Sequence, residues 1–251
     1  MVGVQQMAFL CGAALCGGTI DAIAGGGGLI TVPALLAAGL PTHAALGTNK
    51  GQSVFGSLAA SLRYRHAGLV DGPTARISLP LGFLGSVAGA ALALVLRPGV
   101  LRPVVLVLLV LVAILLTFGR FRPREGATWP APARQGAIVA AIALGLGAYD
   151  GFFGPGAGTF IIAAYAAFLH RPLARATADA KILNFASNCA AMAAFASRGA
   201  VLWRIALPMA GAQILGGFLG AHLAVRRGER LIRGFVLAVV AASVVWLLRD
   251  I

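Results

Sequence analysis

Negative charge is the scarcest commodity in this chain: seven acidic residues among 251, and only two lysines, Lys50 and Lys181, beside eighteen arginines. Charged residues make up 11% of the sequence, whereas soluble domains carry roughly 25%, so a soluble globular fold is excluded. Hydrophobic residues fill 59% of positions, and mean hydropathy is +0.91. Apolar runs near the ~20 residues that cross a bilayer as a helix recur from end to end. The expected class is an all-α polytopic membrane protein.

Other shortages narrow the function. The three cysteines, Cys11, Cys16 and Cys189, form no CxxC and lie in apolar runs, which predicts buried, inert thiols. No GxxxxGK[ST] occurs and no βαβ pattern surrounds the glycines, so no nucleotide loop is expected. No His/Cys/carboxylate cluster has ligand spacing and no nucleophile–base pair stands out, so no cofactor, no metal and no enzymatic site are implied. The first eighteen residues lack a basic n-region and read as the start of a membrane element rather than a cleaved leader. The net charge of +13 sits almost wholly on arginines in short loops. That pattern marks topology and contact with anionic lipid, not a nucleic-acid partner.

What the chain does contain is a repeat. "TIDAIAGGGGLITVPAL…PTHAALGTNKGQ", from Thr19, overlays "AYDGFFGPGAGTFIIAA…RPLARATADAKI", from Ala148. Asp21 falls on Asp150, Pro41 on Pro172, Lys50 on Lys181 and Gly68 on Gly199. From Pro41 onward the offset is a constant 131 residues, and "GSVAGAALA" at Gly85 meets "GGFLGAHLA" at Gly216 in the same register. The chain therefore divides into a first repeat, 1–118, a Pro- and Arg-rich linker, 119–134, and a second repeat, 135–251.

Each repeat reads as four apolar elements, about 4–38, 44–65, 74–96 and 100–118, then 135–169, 175–197, 203–225 and 231–248. The leading element of each is about 35 residues long and is interrupted by Gly25–Gly28 or by "GPGAG", Gly154–Gly158. Two half-helices meeting at a turn are predicted, with the turn shielded by protein or facing a watery cavity. If all eight elements crossed, the arginines would divide ten against eight. If each leading element enters and returns as a re-entrant hairpin, they divide thirteen against five, with the linker on the arginine-rich, cytoplasmic side. The positive-inside rule selects the hairpins. Each repeat then has a broken hairpin plus three transmembrane helices, and an odd number of crossings inverts the second copy, an arrangement typical of secondary transporters.

The ionisable residues inside the apolar runs are Asp21, Lys50, Asp150, Asp179, Lys181 and His222. Lys50 and Lys181 either snorkel toward headgroups or attract an anion along a polar path. Ser53 and Ser57, or Asn184 and Asn188, follow them at i+3 and i+7, making one polar stripe per helix. These serines and asparagines suit pore lining or interhelical hydrogen bonding. Asp21 and Asp150 either cap the broken helices or carry a coupling ion, H+ or Na+. His222 has Ala91 as its repeat equivalent and reads as a packing residue. The helix starts after Gly25, Gly26, Gly27 and Gly28, and around Gly154, Gly156 and Gly158, present unpaired N–H groups and a positive dipole end to an oxyanion. Thr48, Asn49, Ser53, Asn184 and Asn188 are candidate neutral partners of such an anion, beside Lys50 and Lys181.

At these stretches, "GGTIDAIAGGGGLITVPALLAAGLPTHAALGTNKGQSVFGSLAASLRYRHAGLV" and "YDGFFGPGAGTFI…ATADAKILNFASN", the chain resembles the TauE/SafE family of sulfite and organosulfonate exporter-like permeases. The resemblance covers both copies in order. It implies a permease of the bacterial inner membrane moving small sulfur-containing anions such as sulfite or sulfonates. The second copy departs from the first where "GTNK" becomes "ADAK" and the proline of "TVPAL" is missing. A passive anion channel is the competing function within transport, and a membrane enzyme or sensor the one outside it. The sequence leaves a homo-oligomer open.

Overall fold

The computed structural model describes residues 3–101, 103–105, 107–108, 111 and 131–249, with backbone only at 132–133 and from 228 onward. The linker predicted at 119–134 and most of the element predicted at 100–118 lie outside the described residues. All the regular structure described is helical: α1 Val4–Ala24, α2 Gly28–Ala37, α3 Thr42–His66, α4 Gly72–Val95, α5 Pro132–Phe152, α6 Ala157–Phe168, α7 Leu173–Ser197 and α8 Trp203–Arg249. Four of these, α1, α4, α5 and the first part of α8, are long and apolar enough to cross a membrane.

The helix boundaries repeat because their punctuation does. Pro41 and Pro172 cap the starts of α3 and α7, since the ring fixes φ and removes a donor the first turn does not need. Gly68 and Gly199 follow their ends with positive φ, as a left-handed C-terminal turn requires. Each leading element breaks as expected and folds back on itself. In the first hairpin the Gln6 Nε2 at the start of α1 donates to Ala38 O beyond the end of α2, at 2.9 Å. In the second, Val139 and Ile142 of α5 pack in one cluster with Tyr165 of α6 and with Leu169, while Tyr149 donates to Pro155 O across the turn at 2.8 Å. One expected break is absent: where a loop is predicted at 226–230, the α8 backbone continues as helix to Arg249. Gly228 is the only strong helix breaker in "RRGERLIR", and the remaining residues there are mostly good helix formers.

Packing exchanges elements between the repeats. α1 lies against α8, and its counterpart α5 against α4; α3 lies against α8, and α7 against α4. Small residues permit these approaches: Gly85 and Gly89 sit on the backbone of Leu144 and Ala148, and Gly216 and Gly220 on that of Leu15 and Thr19. At the centre α3 runs antiparallel to its own counterpart. Leu46 near the start of α3 clusters with Ala191 and Phe195 near the end of α7, whereas Ala60 and Tyr64 cluster with Ala174 and Ala178 at the start of α7.

Side-chain polarity is reversed relative to a soluble protein. Phe83, Leu84, Leu92, Leu215 and Leu219 face outward, toward what would be lipid, whereas both lysines, all three asparagines and Gln52 and Gln213 are buried. Cys16, expected inside, is exposed on this outer surface, and Cys11 and Cys189 are half-buried, all as free thiols.

The two rims are fastened differently. At one, the Leu202 N–H donates to Thr48 Oγ1 at 3.1 Å. At the repeat-equivalent place on the other rim, the Asp71 N–H donates to Asp179 Oδ1 at 2.8 Å, and buried Arg171 adds ionic contacts to Asp179 and, at 2.9 Å, to Asp71. Arg171, a loop charge by its place in the sequence, is drawn inside by the two carboxylates. Arg171→Met strands Asp179, which is almost fully buried, and is expected to destabilise the fold by about 3–5 kcal/mol, read as a lower melting temperature in detergent. Burial pushes the Asp71 carboxyl up, but hydrogen bonds from Arg171 and Thr74 outweigh it and hold it below its ordinary value. A depressed carboxylate stabilises the fold above its unfolded-state pKa and loses that contribution as pH falls through the folded one. The Asp71 share of the difference between wild type and Arg171→Met is therefore full at neutral pH and lost only in strong acid.

Candidate functional site

Lys50 lies two turns into α3 and is only 2% exposed, so it does not snorkel. Its Nζ donates to Asp150 Oδ1 at 2.6 Å and to Asn188 Oδ1 at 3.0 Å. Asp150 is in the last turn of α5, just before the second helix break. Its other oxygen accepts from Asn184 Nδ2 at 2.9 Å and from the Ser187 hydroxyl. The mirror pair joins Lys181 Nζ to Asp21 Oδ2 at 2.8 Å. Each lysine thus reaches the aspartate of the other repeat. The two aspartates are ion-pair partners rather than helix caps, and two positive charges face two negative ones.

The helix breaks meet beside these pairs. Gly25, at φ +82°, abuts Gly158, where an added methyl would lie 2.6 Å from Gly25 Cα. Thr159 Oγ1 crosses to Ala24 O at 2.7 Å. Between the breaks and the two central helices lies a small, partly open cavity of about 20 Å³. Its wall contains Asp21 and Asp150, Gly27, Gly28 and Gly154 from the breaks, and Asn49, Lys50 and Ser53 from α3. Asn184 and Asn188 of α7 complete the predicted members present.

Other predicted residues stand apart from that wall. Lys181 is fully buried behind Asp21. Gly25 and Gly158 are occupied by each other, Thr48 by the Leu202 amide, and Gly26 and Gly156 do not line the cavity. Ser57 turns back onto its own helix backbone. Asp179, which the sequence places beside Lys181, faces Arg171 instead. His222 accepts from Arg63 Nε at 3.3 Å and stacks on Phe218, a packing role. One wall residue escaped the sequence reading: Gln213 of α8. Its repeat equivalent is Gly82, so a search for paired polar positions passes over it; its signal is a lone amide in an apolar run.

Broken helices back to back, charges buried around a central hollow and an apolar exterior define a polytopic membrane transporter. The chain belongs to the sulfite exporter TauE/SafE family, whose profile matches residues 10–247. It is 39% identical over 249 residues to a probable membrane transporter protein, ORF9, of Sinorhizobium sp., covering 97% of this chain and 93% of that one. It is 36% identical to the probable membrane transporter protein YfcA of Escherichia coli K12, covering all of this chain and 92% of the other. A probable membrane transporter protein of Haemophilus influenzae is 38% identical, covering 94% and 91%. No solved structure matches significantly. The protein is accordingly a multi-pass permease of the bacterial inner membrane.

Proposed function

We propose that the protein is a secondary transporter of small sulfur-containing anions such as sulfite or organosulfonates, built from two inverted repeats and coupled to protons. The helix start at Gly28 and Lys50 hold the anion near the midplane. The antiparallel course of α3 and α7 supports the inversion. So does the arginine distribution: Arg63, Arg65, Arg76, Arg171 and Arg175 lie toward one rim, Arg97, Arg198 and Arg204 toward the other. The first rim is then cytoplasmic.

The observation that carries the coupling is the Lys50–Asp150 pair in the cavity wall. An anion that engages Lys50 competes with Asp150 for it and would leave a buried carboxylate uncompensated, which is costly. Protonating Asp150 removes that penalty and frees Lys50 together, so one proton accompanies one anion. The test is uptake of ³⁵S-labelled isethionate into proteoliposomes. A sulfonate stays ionised throughout the working pH range, so accumulation driven by a pH gradient reports a proton carried by the protein. Uptake above equilibrium that collapses with a protonophore is expected. Accumulation driven by a sodium gradient alone would replace the proton by Na+, and equilibration without accumulation would mark a passive channel.

A further inference from the structure

We infer that Gln213 is an anion-binding, specificity-determining residue that forms, with Asn49 and Ser53, an uncharged donor group beside Lys50. The inference rests on the proposed anion transport and names its substrate class: a monoanion whose head group carries several acceptor oxygens.

Gln213 is 3% exposed, lines the cavity and has no hydrogen-bond partner for its amide among the described residues. The amide is open to the cavity rather than sealed off from it, so the contents of the cavity are its partner. Its position is tightly specified. A methyl on Gly18 would fall 2.6 Å from Gln213 Oε1, and one on Gly56 would also collide with it. Two backbones without side chains thus form the channel through which the amide reaches the cavity.

The neighbouring amides are oriented by what they already bind. Asn49 Oδ1 accepts from Thr31 Oγ1 at 2.6 Å and Gln52 Nε2 at 3.0 Å, which leaves its NH2 group uncommitted. Asn188 Oδ1 accepts from Lys50 at 3.0 Å, with the same consequence. Uncommitted donors therefore come from α3, α7 and α8. A sulfonate or hydrogen sulfite head offers separate oxygens to donors from three helices at once, whereas a halide offers one centre. Charge sets the valence. The two lysines and two aspartates cancel, so one negative charge and one proton leave the buried site neutral, and a dianion does not.

Two of the three members of this donor group, Asn49 and Gln213, lack a polar counterpart in the other repeat, while Ser53 corresponds to Asn184. The equivalents of Asn49, Gln52 and Gln213 are Ala180, Leu183 and Gly82, and the Leu183 side chain fills the space over Gly82. The protein therefore binds one anion, off the pseudo-twofold axis.

The test is thermal stabilisation of purified full-length protein by isethionate, sulfate and chloride. Gln213→Met keeps the length of the side chain and removes the donor. It should leave the anion-free melting temperature unchanged and raise the half-stabilising isethionate concentration about tenfold, the equivalent of one lost hydrogen bond. Gln213→Glu, nearly isosteric, should abolish stabilisation at pH 8 through like-charge repulsion, and it provides the readout if the Met variant does not fold. An unchanged midpoint in both variants reduces Gln213 to packing and overturns the inference. Chloride acting as well as isethionate overturns the oxyanion class, and sulfate acting better overturns the monoanion. Wild-type protein that no anion stabilises refutes the anion-transport proposal itself, an outcome separate from the others.

Discussion

Lys50→Gln is expected to abolish isethionate uptake in proteoliposomes and to lower the melting temperature, while the double variant Lys50→Gln, Asp150→Asn recovers the melting temperature and not the uptake. In the single variant Asp150, 1% exposed, keeps its hydrogen bonds from Asn184 and Ser187 but loses the cation it pairs with. Breaking a buried pair from one side costs about 3–5 kcal/mol, because it leaves an uncompensated charge, whereas replacing both partners by neutral groups of similar shape is close to neutral. The double variant thus separates structural pairing from transport. Lys181→Gln should destabilise less, because the Asp21 side chain it abandons is 21% exposed and water can stabilise the carboxylate there. Normal uptake by Lys50→Gln would remove Lys50 from the anion site. A double variant as unstable as the single one would show that charge burial is not what the pair balances.

The legibility of this protein in its sequence follows from what a repeat encodes. Periodicity and glycine interruptions are local, so both broken hairpins and the central helices α3 and α7 could be placed before any coordinates. Asp21 matched Asp150 and Lys50 matched Lys181, yet the register says nothing of which lysine reaches which aspartate. That is decided by packing α1 against α8 and α5 against α4, contacts set by small residues such as Gly85 and Gly216 far along the chain. Symmetry also misled. It drew attention to positions polar in both copies, and so passed over Gln213, whose usefulness comes from having Gly82 opposite. Arg171 was read as a topology signal because arginine in a loop usually is one. Only the fold brings Asp71, 100 residues away in sequence, beside it.

Gly25→Ala should nearly eliminate folded protein from membranes, whereas Gly39→Ala should leave expression and uptake close to wild type. The comparison is controlled by backbone geometry: the two glycines have φ of +82° and +83°, so an alanine at either bears the same left-handed penalty, about 1–2 kcal/mol. They differ in what the methyl meets. At Gly39 nothing lies within 4 Å. At Gly25 the methyl would enter the backbone of Gly158, whose Cα would lie 2.7 Å away, and backbone cannot rotate aside as a side chain can. To admit it, the two hairpin tips must separate, which breaks the Thr159 hydrogen bond to Ala24 and pulls Asp21 and Asp150, each within four residues of its break, away from the lysines of the opposite repeat. The measurement is the yield of monodisperse protein after mild detergent extraction, with isethionate uptake for whatever folds. If Gly25→Ala proves as stable and active as Gly39→Ala, the two tips do not bear on each other in the membrane, and a central site assembled from both repeats loses its structural basis.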